Sequence, residues 1–261
     1  MKTATIVPTH FLDMIKDRPY QMALAHLVST DAEYTKAYLN MSQEGAYVIM
    51  DNGVIEGDQQ PIEEIIRRAR CIGASEIILP DVFLDCEATL ESTRRALDIA
   101  RELVPDLKLM AVPQGKNLEE WLECAGIMLE WDIDCIGIPK ILTKLEGRDA
   151  RLHALMELHE RYGKLLRTVD LHLLGCWENP IECTMIEKAA ADGLIPEVRG
   201  VDSAIAYVYA REDMLITQGP RPTGAIDFSA KDANREKLAA NIAIWESSVD
   251  ISNGKVTRVH F

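Results

Sequence analysis

The chain has 261 residues, 48% of them hydrophobic and 27% charged, enough for one α/β barrel spanning residues 1–261 around a single large core. Its 28 Lys and Arg against 42 Asp and Glu leave a net charge of −14, which argues against a generic nucleic-acid binder, because phosphate attraction is the sequence-independent part of such affinity. No apolar run approaches the roughly 20 residues of a membrane span, the N-terminus lacks a signal-peptide pattern, and the six cysteines form no C-x-x-C or C-x-C pair, so we expect a cytoplasmic protein with no membrane partner, no disulfide framework and no metal.

Strands are predicted at 4–7, 22–28, 47–50, 76–79, 108–112, 135–138, 170–174 and 198–201. The first runs into Val7-Pro8-Thr9-His10, which has none of the glycines a dinucleotide-binding turn needs, and no P-loop pattern occurs elsewhere. Three later strands reach a proline followed by a polar residue: Pro80-Asp81, Pro113-Gln114 and Pro139-Lys140. Proline has no N–H to give to a central ladder, so it marks where each strand stops.

Helical periodicity fills most of the intervals. Ile62, Ile65, Ile66 and Ala69 lie on one face, with Pro61 before them and Gly73 after. Leu118, Leu122, Ala125 and Leu129 repeat the pattern behind Asn117 and Glu120, which have capping-box spacing. Leu152, Leu155, Met156 and His159 form a third face, and a last helix is predicted over 233–245. Eight strands alternating with helices predict a (β/α)₈ barrel of the TIM type, with an open doubly wound sheet as the alternative.

In such a barrel the functional side chains follow the strands. Those positions hold His10, His26, Asp51-Asn52-Gly53, Asp81, Gln114-Gly115, Gly137 with Lys140, Gly175-Cys176-Trp177 and Asp202-Ser203. Any one carboxylate could cap a helix or join an ion pair, but three on one rim can divide into nucleophile, acid/base and hydrogen-bonding roles. With an amide side chain beside them they suit sugar-bond chemistry at a flat polar base. The glycines allow close backbone approach to a ring, or are turn residues. Trp177 could stack on the base or cover the barrel mouth, and His10 and His26 are metal or phosphate contacts or structural residues. Residues 140–169 carry seven cations, among them Lys140, Lys144, Arg148 and Arg151, against four carboxylates, a track for phosphates or a solvated helix face.

Residues 47–205 resemble the tRNA-guanine transglycosylases, which exchange guanine for a 7-deazaguanine on a (β/α)₈ barrel. Met50-Asp51-Asn52-Gly53 is similar to that family's Thr-Asp-Ser-Gly-Gly segment, Leu79-Pro80-Asp81 to its base-gripping strand end, Val112-Pro113-Gln114-Gly115 to its Val-Gln-Gly-Gly, Ile136-Gly137 to its Ile-Gly-Gly, and Gly200-Val201-Asp202-Ser203 to the segment bearing its nucleophile. The resemblance implies Asp202 as nucleophile, Asp51 as acid/base, and Asp81, Gln114, Gly115 and Gly137 around the base. The family's C-x-C-x-x-C zinc site is absent, Val54 stands where the second Gly of Ser-Gly-Gly would be, and Gly137 is followed by Ile138-Pro139. The short, zinc-free form looks like the phage-type relatives, which place 7-deazaguanines such as preQ0 in DNA and would work in a host cytoplasm. That implies DNA rather than RNA as polymer, no cofactor, and a partner subunit or homodimer to help hold it. Rival readings are an RNA-directed transglycosylase, a lyase or isomerase of a small phosphorylated metabolite with Lys140 as Schiff-base lysine, and a non-catalytic partner subunit.

Overall fold

The structure is a computed structural model and describes residues 1–53, 57, 60–147, 149–176 and 180–249. Its strands are β1 (Lys2–Thr5), β2 (Tyr20–Ala23), β3 (Tyr47–Met50), β4 (Glu76–Ile78), β5 (Lys108–Ala111), β6 (Cys135–Pro139), β7 (Asp170–Leu174) and β8 (Gly200–Ser203). Between and after them lie α1 (Ala25–Thr30), α2 (Ala32–Gln43), α3 (Ile62–Ile72), α4 (Cys86–Leu103), α5 (Leu118–Met128), α6 (Leu142–Glu146), α7 (Ala150–Tyr162), α8 (Ile181–Ala191), α9 (Ile205–Arg211) and α10 (Arg235–Val249). Every ladder is parallel and the order runs β1-β8-β7-β6-β5-β4-β3-β2, with the end strands β1 and β2 side by side, so the sheet forms a nearly closed (β/α)₈ barrel.

Local chemistry sets the helix ends. Asp31 and Asp85 accept N–H bonds in the first turns of α2 and α4, Asn117 accepts from Glu120 N in α5, and each such cap stabilises by about 1 kcal/mol. Glu120 reaches back to the N–H of Lys116 rather than to that of Asn117, one residue beyond a strict capping box. Gly73 closes α3 at φ 61°, a conformation that a side chain would strain. Ile62, Ile65, Ile66, Ala69 and Ile72 bury the inner face of α3 on the barrel.

The expected strands mostly stand, with three shifts. The apolar run 22–28 contains no breaker, and the chain ends the strand at Ala23 and turns helical at Ala25, because a short apolar run fits either period. The first and last strands each move two residues, β1 toward the N-terminus and β8 toward the C-terminus, paired Lys2 with Gly200 through Thr5 with Ser203. Asp202 is therefore inside β8 and not beyond it. Pro139 closes β6 opposite Leu174, and the next N–H, that of Lys140, carries the ladder on to Leu174 O at 3.0 Å.

Candidate active site

A cavity of about 420 Å³ opens at the C-terminal ends of the strands, a size within the roughly 300–1,000 Å³ of small-molecule sites. Asp51, Asn52, Asp81, Gln114 and Asp202 line it, and Lys140, Lys144 and Arg221 line it as well. Carboxylates and cations thus share one concavity. Phe228 and Phe83, the latter 49% exposed, add aromatic faces.

Asp81 is the most enclosed of the three aspartates. It follows β4 and is 5% exposed; Asn52 Nδ2 donates to its Oδ1 at 2.8 Å and Gln114 Nε2 to its Oδ2 at 2.6 Å. Asn52 also donates to Leu79 O, and Gln114 Oε1 accepts from Leu84 N, so both amides are held in one orientation with their NH₂ groups toward the carboxylate. Burial pushes the Asp81 carboxyl above the usual range, against the pull of these two amide bonds.

Asp51 follows β3, where its Oδ2 accepts the N–H of Gly53 at 3.1 Å in a tight turn that Gly53 enters at φ 74°. Asp202 is 8% exposed, and among the described residues both of its hydrogen bonds land on Oδ1: Gly175 N at 3.1 Å and His172 Nε2 at 3.2 Å. Gly175 has φ 73°, and a Cβ there would stand 2.7 Å from Lys140 Cδ, so glycine is needed both for the turn and for the lysine's path.

Several expected site residues are placed otherwise. Arg151 is not a surface contact for phosphates: it is fully buried, bonded twice to Glu182 and donating to the carbonyl of Gly175, just past β7, at 2.8 Å. Gly115 sits against the first turn of α5, where a Cβ would be 2.5 Å from Trp121 N, rather than lining the cavity. Gly137 also lies off the lining; a Cβ there would press on Leu174, Met110 and Val112 inside the barrel at 2.8–3.1 Å, so its smallness serves packing. His10 is exposed with its ring edge on Phe11, and His26 sets its ring against Phe228 at 5.6 Å. Trp177 and Arg148 lie outside the described residues.

Sequence reasoning gave no role to two of the residues that orient the carboxylates, Asn52 and His172. Asn52 stands next to Asp51 in the chain, yet its bonds span 27 residues to Leu79 and 29 to Asp81 and exist only in the fold. His172 left one signal, a lone histidine in the apolar run Leu171-His172-Leu173-Leu174. Among the described residues no group of three or more His, Cys, Asp or Glu is placed to hold a metal ion, and no helix is long and apolar enough to cross a membrane. No family model and no curated protein matches the chain.

Proposed function

We propose that this chain is a base-exchange glycosyltransferase that replaces guanine in DNA with a 7-deazaguanine of the preQ0 type. The observation that carries the reading is a buried carboxylate, Asp81, clamped by Asn52 and Gln114 in the same cavity as Asp51 and Asp202. A fixed acceptor pair matches two adjacent donors on one edge of a flat heterocycle, and guanine presents such an edge in N1–H and its 2-amino group. Asp202 attacks C1′ through Oδ2: the C1′–Oδ2 bond forms as the glycosidic C–N bond breaks, and guanine leaves with that electron pair. Asp51 gives the departing base its proton and takes one from the incoming base, whose ring nitrogen then displaces Asp202 from C1′. Phe83 and Phe228 supply stacking faces, and Lys140 and Lys144 meet the backbone phosphates.

The test is incubation with guanine-labelled DNA and, separately, labelled tRNA, with preQ0 present. Label release from DNA is expected, with a gel-stable enzyme–DNA adduct; Asp202→Asn should abolish both while melting like the parent protein, since an amide keeps the shape but cannot attack. Release from tRNA at least as fast would assign the chain to RNA. Lys140 in the same cavity supports a second reading, a Schiff-base lyase or isomerase of a phosphorylated metabolite, for which borohydride would trap a Lys140 adduct with a carbonyl substrate.

A further inference from the structure

We infer that His172, Tyr20 and Arg199 form a positioning chain that grips one oxygen of Asp202 and turns the other toward the sugar, an inference that rests on the reading of Asp202 as nucleophile. The chain runs down the barrel interior. His172 Nε2 lies 3.2 Å from Asp202 Oδ1, His172 Nδ1 lies 2.9 Å from the Tyr20 hydroxyl, and Arg199 Nε lies 3.1 Å from that same hydroxyl. His172 is fully buried and Tyr20 is 2% exposed. Arg199 is itself held by Glu76 at 2.6 Å and Asp170 at 2.9 Å, near the opposite end of the barrel.

The donors decide the direction. A guanidinium only donates, so the Tyr20 oxygen accepts from Arg199, and among the described residues His172 Nδ1 is the acceptor within reach of its own proton. Burial raises the phenol's pKa, which keeps that proton in place. His172 must then carry its ring hydrogen on Nε2, where it donates to Asp202; the other neutral tautomer would face a lone pair toward the carboxylate. A buried polar partner fixes the imidazole's tautomer and orientation in this way.

The backbone makes room for it. His172 pairs with Gly200 across the β7–β8 ladder, and a Cβ on Gly200 would stand 2.6 Å from the Tyr20 ring, so glycine there lets Tyr20 reach across to His172. Asp202, two residues beyond Gly200, points to the same side. With Gly175 N–H and His172 Nε2–H both on Oδ1, the lone pairs of Oδ2 are the ones left to attack C1′. When the incoming base breaks the C1′–Oδ2 bond, the electron pair returns to the carboxylate, and the same two donors stabilise it. His172 and Tyr20 are thus positioning residues that never touch the substrate.

Two measurements test the chain. Nitrogen NMR of histidine-labelled, unliganded protein, with the His172 signal assigned by its loss in His172→Gln, should show a protonated Nε2 and a bare Nδ1; a bare Nε2 would overturn the inference. In exchange assays His172→Leu should lower kcat by about 100-fold, the usual order for removing one preorganised donor, with KM for the free base unchanged. His172→Gln, which keeps an N–H near the Nε2 position, should recover most of that loss, and Tyr20→Phe, which preserves packing, should lower kcat by about 10-fold. A folded His172→Leu with parental kcat, or equal losses in the Leu and Gln variants, would overturn it. If the parent protein exchanges no base, the reading of Asp202 as nucleophile fails, and the tautomer in the unliganded protein still decides the chain by itself.

Discussion

Asp81 has two amide donors but little water around it, and the balance decides how it responds to pH. Its carboxyl titrates above the ordinary 3.8 because burial outweighs the bonds from Asn52 and Gln114. As the pH falls through that raised value, a proton takes up one acceptor oxygen, so affinity for a guanine-type base should drop on acidification at a higher pH than an exposed aspartate would give. Calorimetry with free base from neutral to acid pH measures this, and Asp81→Asn should bind weakly with the pH dependence gone. The same shift acts on stability with its own sign. Folded Asp81 holds its proton more tightly than the unfolded chain does, so its contribution is full below 3.8 and is lost as the pH rises through the folded value. Gly175 is the other residue whose chemistry is local: at φ 73°, Gly175→Ala should destabilise the fold by about 1–2 kcal/mol and, by moving the N–H that holds Asp202, lower any exchange rate. Thermal melting and label release read the two effects separately.

Among elements, the joint between α7, α8 and the ends of β6 and β7 depends on one side chain. Arg151 enters from the first turn of α7, meets Glu182 of α8 in two bonds of 2.8 and 2.5 Å, and donates to the carbonyl of Gly175, the residue whose N–H holds Asp202. Removing one member of a buried pair leaves the other charge without its partner, at a cost of about 3–5 kcal/mol. Arg151→Met should therefore lower stability by that order in urea unfolding. The double variant with Glu182→Leu should recover part of it, because replacing both charges by apolar groups is far less costly than orphaning one. A loss confined to nucleic-acid binding, with unfolding unchanged, would return Arg151 to the surface role that its charge suggests.

At the scale of the whole molecule, a net charge of −14 repels a polyanion, while Lys140, Lys144 and Arg221 bring positive charge to the cavity. Binding to DNA should be weak and steeply salt-dependent, and strongest where the duplex is already open, since a stacked base must flip out to enter a barrel mouth. Charge reversal of Lys140 and Lys144 together should flatten the slope of log K against log salt on single-stranded DNA by about 1.4, roughly 0.7 for each phosphate no longer neutralised. Affinity for free base should stay as it was. A slope equal to that of the parent chain would show that the phosphates run elsewhere.

The sequence by itself determined a parallel sheet with helical crossovers, and the tertiary structure closed it into a barrel. Strand and helix alternate along the chain as parallel strands with helical crossovers require, and the recurrence of strand, proline and polar residue set Asp81, Gln114 and Lys140 on one rim, where the end of the third strand adds Asp51. These are local properties: an apolar run, a missing N–H and a 3.6-residue period act within a few residues of chain. What the tertiary structure alone decided are the bonds made across the barrel. Tyr20 reaches His172 over 152 positions and Arg199 reaches Tyr20 over 179, distances at which no pattern in the chain says which inward-facing side chains meet. A two-residue difference in register put Asp202 within its strand and beside His172, and the carbonyl of Gly175 and the carboxylate of Glu182 hold Arg151 inward from a helix whose charge pattern reads as solvated. Alternation along a strand sorts side chains into inner and outer faces; only the stagger between strands distant in sequence brings one inner side chain within hydrogen-bonding reach of another.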